Sequence, residues 1–186
     1  MPLARRAPAD PFAQVRAATD LHRARHGCRA YPFSEGPLLG VLAGAVDAKR
    51  ILELGTALGY TALWLAHGAP VALIDTVERD PEHVRLACEH FAAAGVARRI
   101  AVHEGDFAAV LPTLAPGYDL GFFDGFAPGL DHLAAFRRLI RPGGLLVSTN
   151  LDLGRGDDYR AALADPARFL TSFAAEDGRT AVSLLR

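Results

Sequence analysis

Cysteine is scarce in this chain. Cys28 and Cys88 are the only two, and they lie far apart in no CxxC or Cys/His cluster, which argues against a disulfide framework or a structural zinc site and fits a reducing compartment. Charge of one sign is lacking too: 20 Lys plus Arg stand against 21 Asp plus Glu, a formal net charge of -1. No global field therefore draws nucleic acid or an anionic membrane, and small-molecule chemistry is favoured. Long apolar runs are missing. A stretch such as Gly143 to Val147 falls far short of the ~20 residues that cross a bilayer. The opening Met1-Pro2-Leu3-Ala4-Arg5-Arg6-Ala7-Pro8 is followed by no apolar core of a signal peptide. Internal repeats, low-complexity tracts and linkers are absent as well. These absences point to one soluble, cytoplasmic unit, and 186 residues with 51% hydrophobic content suffice for a substantial core.

What is present is an alternation of helix and strand signals. Residues 11 to 26 predict a helix with Phe12, Val15, Ala18 and Leu21 near helical spacing, and Pro37 to Val46 predicts a second with Leu38, Leu39, Leu42 and Val46 inward. From Arg50 to Leu54 an apolar run reads as a strand, followed by a Gly-bearing turn and a helix over Tyr60 to His67. Val71 to Val77 is a second strand. Pro81 opens a helix with Val84, Ala87, Cys88 and Phe91 at i, i+3, i+4 and i+7, ended by Gly95. Arg99 to His103, Tyr118 to Phe123 and Leu145 to Asn150 continue as strands, with a helix over Leu130 to Ile140 and a turn at Pro142-Gly143-Gly144. A further helix is expected near Asp157 to Ala164. Phe169 to Phe173 and Thr180 to Leu185 flank Glu176-Asp177-Gly178-Arg179, a hairpin signal. The expectation is an α/β fold: a mostly parallel seven-stranded sheet, closed by an antiparallel hairpin, with helices on both faces.

In open α/β sheets ligands bind beyond the carboxyl ends of the strands, so the residues after each strand carry the chemistry. Strand one runs into Glu53-Leu54-Gly55-Thr56-Ala57-Leu58-Gly59-Tyr60-Thr61, where two glycines let backbone approach a ligand. Strand two ends at Glu78, near the ~20-residue offset at which an acid accepts from ribose hydroxyls; Arg79 follows it. Gly105-Asp106-Phe107 after strand three offers an acceptor for an adenine amino group and an aromatic face, and Asp124 follows strand four. Each has a plainer reading: Gly55 and Gly59 as structural turns, Glu78 as a surface acid, Asp106 as a helix N-cap, Phe107 as core. Their joint occurrence at successive strand ends is what the plainer readings explain poorly. The first loop reads GxxxG rather than the GxGxxG that cradles a pyrophosphate, and Glu53, Glu78 and Asp124 suit the cationic sulfonium and amino groups of S-adenosylmethionine better than they suit an anion.

The stretch Ile51-Leu52-Glu53-Leu54-Gly55-Thr56-Ala57-Leu58-Gly59-Tyr60-Thr61-Ala62-Leu63-Trp64-Leu65-Ala66 resembles the first motif of the catechol and caffeoyl-CoA type O-methyltransferases. The likeness extends through Val77-Glu78-Arg79-Asp80-Pro81-Glu82-His83, Glu104-Gly105-Asp106, Tyr118 to Asp124, Arg141 to Leu146 and the Asp177-Gly178 hairpin, covering roughly residues 32 to 186. It implies a single Rossmann-like methyltransferase domain over 1–186, with helices in 1–47 packing on or capping the substrate side and 48–186 as cofactor-binding core. It implies that Glu78 holds the ribose, Asp106 the adenine edge, and Glu53, Gly55 and Tyr60 the methionine portion, with Thr56, Gly59, Arg79, Gly105 and Phe107 alongside. The acceptor is a small-molecule hydroxyl; a base on structured RNA is disfavoured by the charge balance but stays open, as does a homodimer. The departures are informative. The family's strand-four Asp-Ala-Asp-Lys reads Asp124-Gly125-Phe126-Ala127 here, and its strand-five Asp-Asn reads Thr149-Asn150. Asp124 and Asn150 are then the remaining candidate ligands for a divalent cation (magnesium or calcium), and losing a carboxylate lowers affinity for such a hard ion, so the expectation is against a bound metal. Asp124 is also the candidate general base. Rival readings are a non-catalytic binder of S-adenosylmethionine or S-adenosylhomocysteine and an NAD(P)-dependent reductase.

Overall fold

The computed structural model describes residues 10–186, so the segment read for a signal peptide lies outside them. Helices α1 (Ala13–His26) and α2 (Gly36–Ala45) precede an alternating series: β1 (Arg50–Leu54), α3 (Tyr60–Gly68), β2 (Leu73–Glu78), α4 (Pro81–Ala93), β3 (Ile100–Glu104), α5 (Phe107–Val110), β4 (Tyr118–Phe123), α6 (Leu130–Leu139), β5 (Ile140–Ser148) and α7 (Gly156–Leu163). Strands β6 (Phe169–Ala175) and β7 (Thr180–Leu185) complete it. The sheet order is β3-β2-β1-β4-β5-β7-β6. Strands β1 to β5 pair in parallel, β7 runs antiparallel to β5, and β6 antiparallel to β7. The order reverses between β1 and β4, which places the switch point at Leu54 and its register partner Phe123.

Two apolar layers cover the sheet. Ile51, Ile74, Leu120 and Phe122 meet Leu39 of α2, Leu63 of α3 and Phe91 of α4 on one face. On the other, Leu52, Leu54 and Leu146 meet Leu133 and Phe136 of α6 and Tyr159 and Leu163 of α7. The period of two along β1 thus sends Leu52 and Leu54 to one side and Ile51 and Glu53 to the other.

Where the expected elements shift, the cause is local. The buried side of α1 runs through Phe12, Val15 and the fully buried Thr19, which leaves Leu21 50% exposed. Helix α2 docks on α3 through small residues, because a Cβ at Gly68 would fall 1.9 Å from the Gly40 carbonyl oxygen. Val71 sits in a turn closed by the Ala72 amide on Ala69 (3.0 Å), so β2 starts at Leu73, whose amide donates to Lys49. Pro142-Gly143-Gly144 lies within β5: the register jumps from Tyr118↔Ile140 to Leu120↔Leu145, and the three residues bulge out of the ladder.

Candidate active site

The parallel ladder runs one residue past the strands. Gly105 N–H donates to Glu78, Gly55 N–H to Val77, Asp124 N–H to Leu54 and Thr149 N–H to Phe123, at 2.8 to 3.1 Å. Gly105, Glu78, Gly55, Asp124 and Thr149 are therefore set side by side across five strands, on the rim of a cavity of about 1010 Å³. Ligand sites typically occupy about 300 to 1,000 Å³, so this cavity lies at the upper end of that range. Gly55 belongs to this row for a steric reason. Its φ is +102°, and a Cβ would lie 2.7 Å from the Asp124 carbonyl oxygen, so only glycine lets the ends of β1 and β4 close together.

At the end of β2, the half-buried Glu78 carboxylate is already well occupied. Its Oε2 accepts from Ala57 N–H (2.9 Å), and its Oε1 accepts from Arg79 N–H (2.9 Å) and Asp80 N–H (3.0 Å). His83 Nδ1 stands 3.8 Å from Oε1, an electrostatic contact rather than a hydrogen bond. Burial works against the charge of Glu78, but His83 and the amides of Asp80 and Ala57 outweigh it and hold the carboxyl below its ordinary value. His83 is in turn raised to about 9, chiefly by Glu78, against burial. A carboxylate has about four acceptor positions. Three are taken and one on Oε2 remains, on a residue that lines the cavity.

Asp106 precedes α5 as its N-cap residue, yet its side chain makes no cap bond; the exposed carboxylate lines the cavity beside Phe107. Phe107 packs edge-on against Phe123 and His132. Arg79 also lines this side.

At the switch point Asp124 Oδ1 accepts from Thr149 Oγ1 (3.0 Å). Burial pushes this carboxyl well above its ordinary value, against the Thr149 hydrogen bond, and the charges of Glu53 and Glu176 add to the rise. Asn150, at φ +58°, donates its side-chain amide to the Gly125 carbonyl (2.7 Å).

Four of the expected residues are not on the cavity wall. Glu53 is completely buried beneath it, accepting from Thr61 Oγ1 and Thr76 Oγ1 at 2.6 Å each, and burial raises it to about 7. Thr56 shares a 2.6 Å hydrogen bond with Thr76, which extends the same polar chain under the loop. Gly59 faces α4, where a Cβ would meet the Phe91 ring at 2.5 Å. Tyr60 turns to the amino-terminal side, its hydroxyl donating to Asp10 (2.8 Å). Conversely, the cavity gains walls that no strand end announces: the segment from Cys28 to Ser34, and Glu176 and Arg179 of the hairpin. Glu176 accepts hydrogen bonds from Ser34 and from Thr180, which ties the hairpin to the segment before α2. Their signal is tertiary; a carboxylate in a left-handed turn residue, φ +48°, is the one local hint.

Residues 11–153 match the family model of the O-methyltransferases. The chain belongs to this family. A catechol O-methyltransferase of Mycobacterium tuberculosis is 40% identical over 68% of the chain and 59% of its own length. The chain spans less than two thirds of the length of this relative and of a catechol O-methyltransferase of Niastella koreensis. A cofactor-bound protein of M. tuberculosis superposes with a TM-score of 0.78 at 28% identity, over 97% of this chain and 92% of that one. An O-methyltransferase of tomaymycin synthesis from Streptomyces achromogenes, in complex with SAM, gives 0.79 at 24% over 92% and 89%, a likeness of fold.

The divalent-cation set that membership suggests fits these residues poorly. Asp124 supplies the one carboxylate at the ends of β4 and β5, Thr149 directs its hydroxyl proton at it, and Asn150, whose side-chain N–H donates to Gly125, offers a neutral oxygen. One charge and neutral oxygens hold a hard cation weakly.

Proposed function

We propose that the protein transfers a methyl group from S-adenosylmethionine to a hydroxyl oxygen of a small-molecule acceptor. The observation that carries this reading is the row at the strand ends, with Glu78, Asp106 and Asp124 around one cavity in a member of an O-methyltransferase family. The cofactor supplies an electrophilic methyl on a sulfonium. The remaining acceptor position of Glu78 takes a ribose hydroxyl, Asp106 the adenine amino group, and the Phe107 face the base. The cavity beyond Asp124, walled by Phe126, Leu153 and Glu176, holds the acceptor. In-line displacement needs alignment above all, and the packed ends of β1 and β4 fix the position of Asp124 for it. A carboxylate whose proton affinity is raised is a stronger base once ionised, so Asp124 is proposed to take the hydroxyl proton as the oxygen attacks.

The incomplete cation set favours a second reading, a non-catalytic binder of the same cofactor. Calorimetric titration with S-adenosylhomocysteine and with NAD, followed by transfer of labelled methyl to a panel of phenols and catechols, tests both. Binding of S-adenosylhomocysteine with labelled product supports the enzyme; binding without product on any acceptor supports the binder. Binding of NAD alone overturns the whole assignment. One domain over the chain, α1 and α2 on the acceptor side, and a cytoplasmic setting belong to the same proposal.

A further inference from the structure

We propose that His22, Cys28 and His83 form a site for a borderline transition metal of the zinc class, on the cavity wall next to Glu78. One ring nitrogen from each histidine and the Cys28 sulfur lie within 4.8 Å of one another, the one such group of three among the described residues. The fold brings them together from two helices. His22 lies on the half-buried side of α1, Gly27 caps that helix in the left-handed conformation (φ +64°) and turns the chain back to Cys28, and His83 sits in the first turn of α4.

His83 Nε2 is buried and has no hydrogen-bond partner, while Nδ1 faces Glu78 Oε1 at 3.8 Å. In a ligating histidine the nitrogen away from the metal typically donates to a carboxylate, and a short shift of the ring would turn the contact with Glu78 into that bond. Asp80 lies beside the triad without belonging to it, so water completes the tetrahedron. Asp80 Oδ1 caps α4 by accepting from Glu82 and His83 amides, and its Oδ2 stands 3.9 Å from His83 Nε2. His22 is held in place from behind by His26, stacked at 4.3 Å. Tetrahedral zinc bonds of about 2.0 to 2.3 Å place N and S ligands about 3.4 to 3.6 Å apart, so side-chain rotation closes the triangle. Two imidazoles and a thiolate select zinc, cobalt(II) or copper over magnesium or calcium. On binding, the Cys28 thiol and the His83 imidazolium each give a proton to solvent, and the metal fastens the segment that follows α1 to the start of α4.

Cobalt(II) titrated into the reduced protein reports on the site directly. One equivalent is expected to give visible tetrahedral bands and a near-ultraviolet thiolate-to-cobalt transition, both quenched by zinc. Cys28→Ser removes the thiolate transition, His22→Ala weakens cobalt binding by at least about tenfold, and Cys88→Ser changes neither. Absence of the transition in the unmodified protein overturns the proposal, and so does a transition that survives Cys28→Ser but is lost in Cys88→Ser. None of these readouts depends on methyl transfer, so the site and the proposed activity fail independently.

Discussion

Asp119 and Asp124 stand at opposite ends of the same strand, and the environment treats them in opposite ways. At the amino end, Asp119 accepts from the Lys49 and Arg50 amides (2.7 and 2.9 Å) and from Arg141 Nε (2.7 Å). Burial raises its pKa, but Arg141 and those amides outweigh burial and hold it below the ordinary value. At the carboxyl end, Asp124 has one hydroxyl donor, no cation, and two other acids for company. The first arrangement fastens β1, β4 and β5 together; the second leaves a carboxyl that is costly to ionise until something with donors or positive charge arrives. Perturbed acids gathered in a cleft are what a functional site leads one to expect, and a satisfied acid at the other end is what structure alone requires.

The largest effect that tests this contrast is at Gly55. A valine there meets the Asp124 carbonyl and a backbone φ of +102°, so Gly55→Val is expected to abolish measurable S-adenosylhomocysteine binding while circular dichroism still shows the sheet. Normal affinity in the variant would remove the switch point from the site.

Glu53 comes next. Its folded pKa of about 7 lies above the ordinary 4.5, so the folded state keeps a proton that the unfolded chain loses, and stability falls as pH rises from about 4.5 through about 7. The shift corresponds to on the order of 3 kcal/mol at pH 8. Urea unfolding at pH 5 and pH 8 should show Glu53→Gln losing much less stability between the two than the unmodified protein; parallel losses would mean that Glu53 is not the buried acid responsible.

Glu78→Ala is expected to weaken S-adenosylhomocysteine binding by roughly 30- to 150-fold, the equivalent of about 2 to 3 kcal/mol for a lost charge-assisted hydrogen bond. Some stability goes with it, because the loop amides of Ala57, Arg79 and Asp80 lose their acceptor. Asp119→Asn reverses the pattern. It should cost about 1 to 3 kcal/mol of stability at pH 7 and leave S-adenosylhomocysteine affinity alone. Because the pKa of Asp119 is depressed, its contribution is present at neutral pH and lost as pH falls through the folded value, so the difference between variant and parent narrows in acid. A fall in affinity in Asp119→Asn with no loss of stability would erase the distinction between the ends.

Much of this was legible in the sequence. Central parallel strands such as β1 and β4 are apolar runs closed by turns, and the antiparallel β6 alternates buried and exposed residues before a Gly-bearing turn, which is why the strands and the closing hairpin could be read. The rim acids Glu78, Asp106 and Asp124 follow from the rule that ligands gather past strand ends. The inward side of Glu53 is legible too, since the period of two puts it with Ile51 under α3, beneath the cavity rather than on its wall. What Gly59 clears and what Tyr60 reaches, the Phe91 ring and Asp10, are contacts that depend on distant parts of the chain. The Pro142-Gly143-Gly144 bulge reads locally as a turn because the chain does leave the ladder there. Glu176 and the segment from Cys28 to Ser34 had no local period to reveal them, and the His22, Cys28 and His83 group has none of the spacing by which metal ligands are found in sequence.

The smallest expected effect concerns magnesium, and it separates Asp124 as a general base from Asp124 as a metal ligand. Thr149 stands where the family resemblance supplies a second carboxylate, and its hydroxyl donates to Asp124 at 3.0 Å. With one carboxylate that burial disfavours in its charged form, the rim attracts a hard cation only feebly. Added magnesium should then change methyl transfer by no more than about twofold. Thr149→Asp replaces a hydrogen-bond donor by a second charge beside the first, so the variant should bind calcium or magnesium at least about tenfold more tightly than its parent. The gain should be largest at higher pH, where two adjacent carboxyls ionise only with a cation between them. Strong activation of the unmodified protein by magnesium would mean that Glu176 or Asp152, both on the cavity wall, completes a cation site, and the proton would then leave an ion-bound hydroxyl instead of passing to Asp124 unaided.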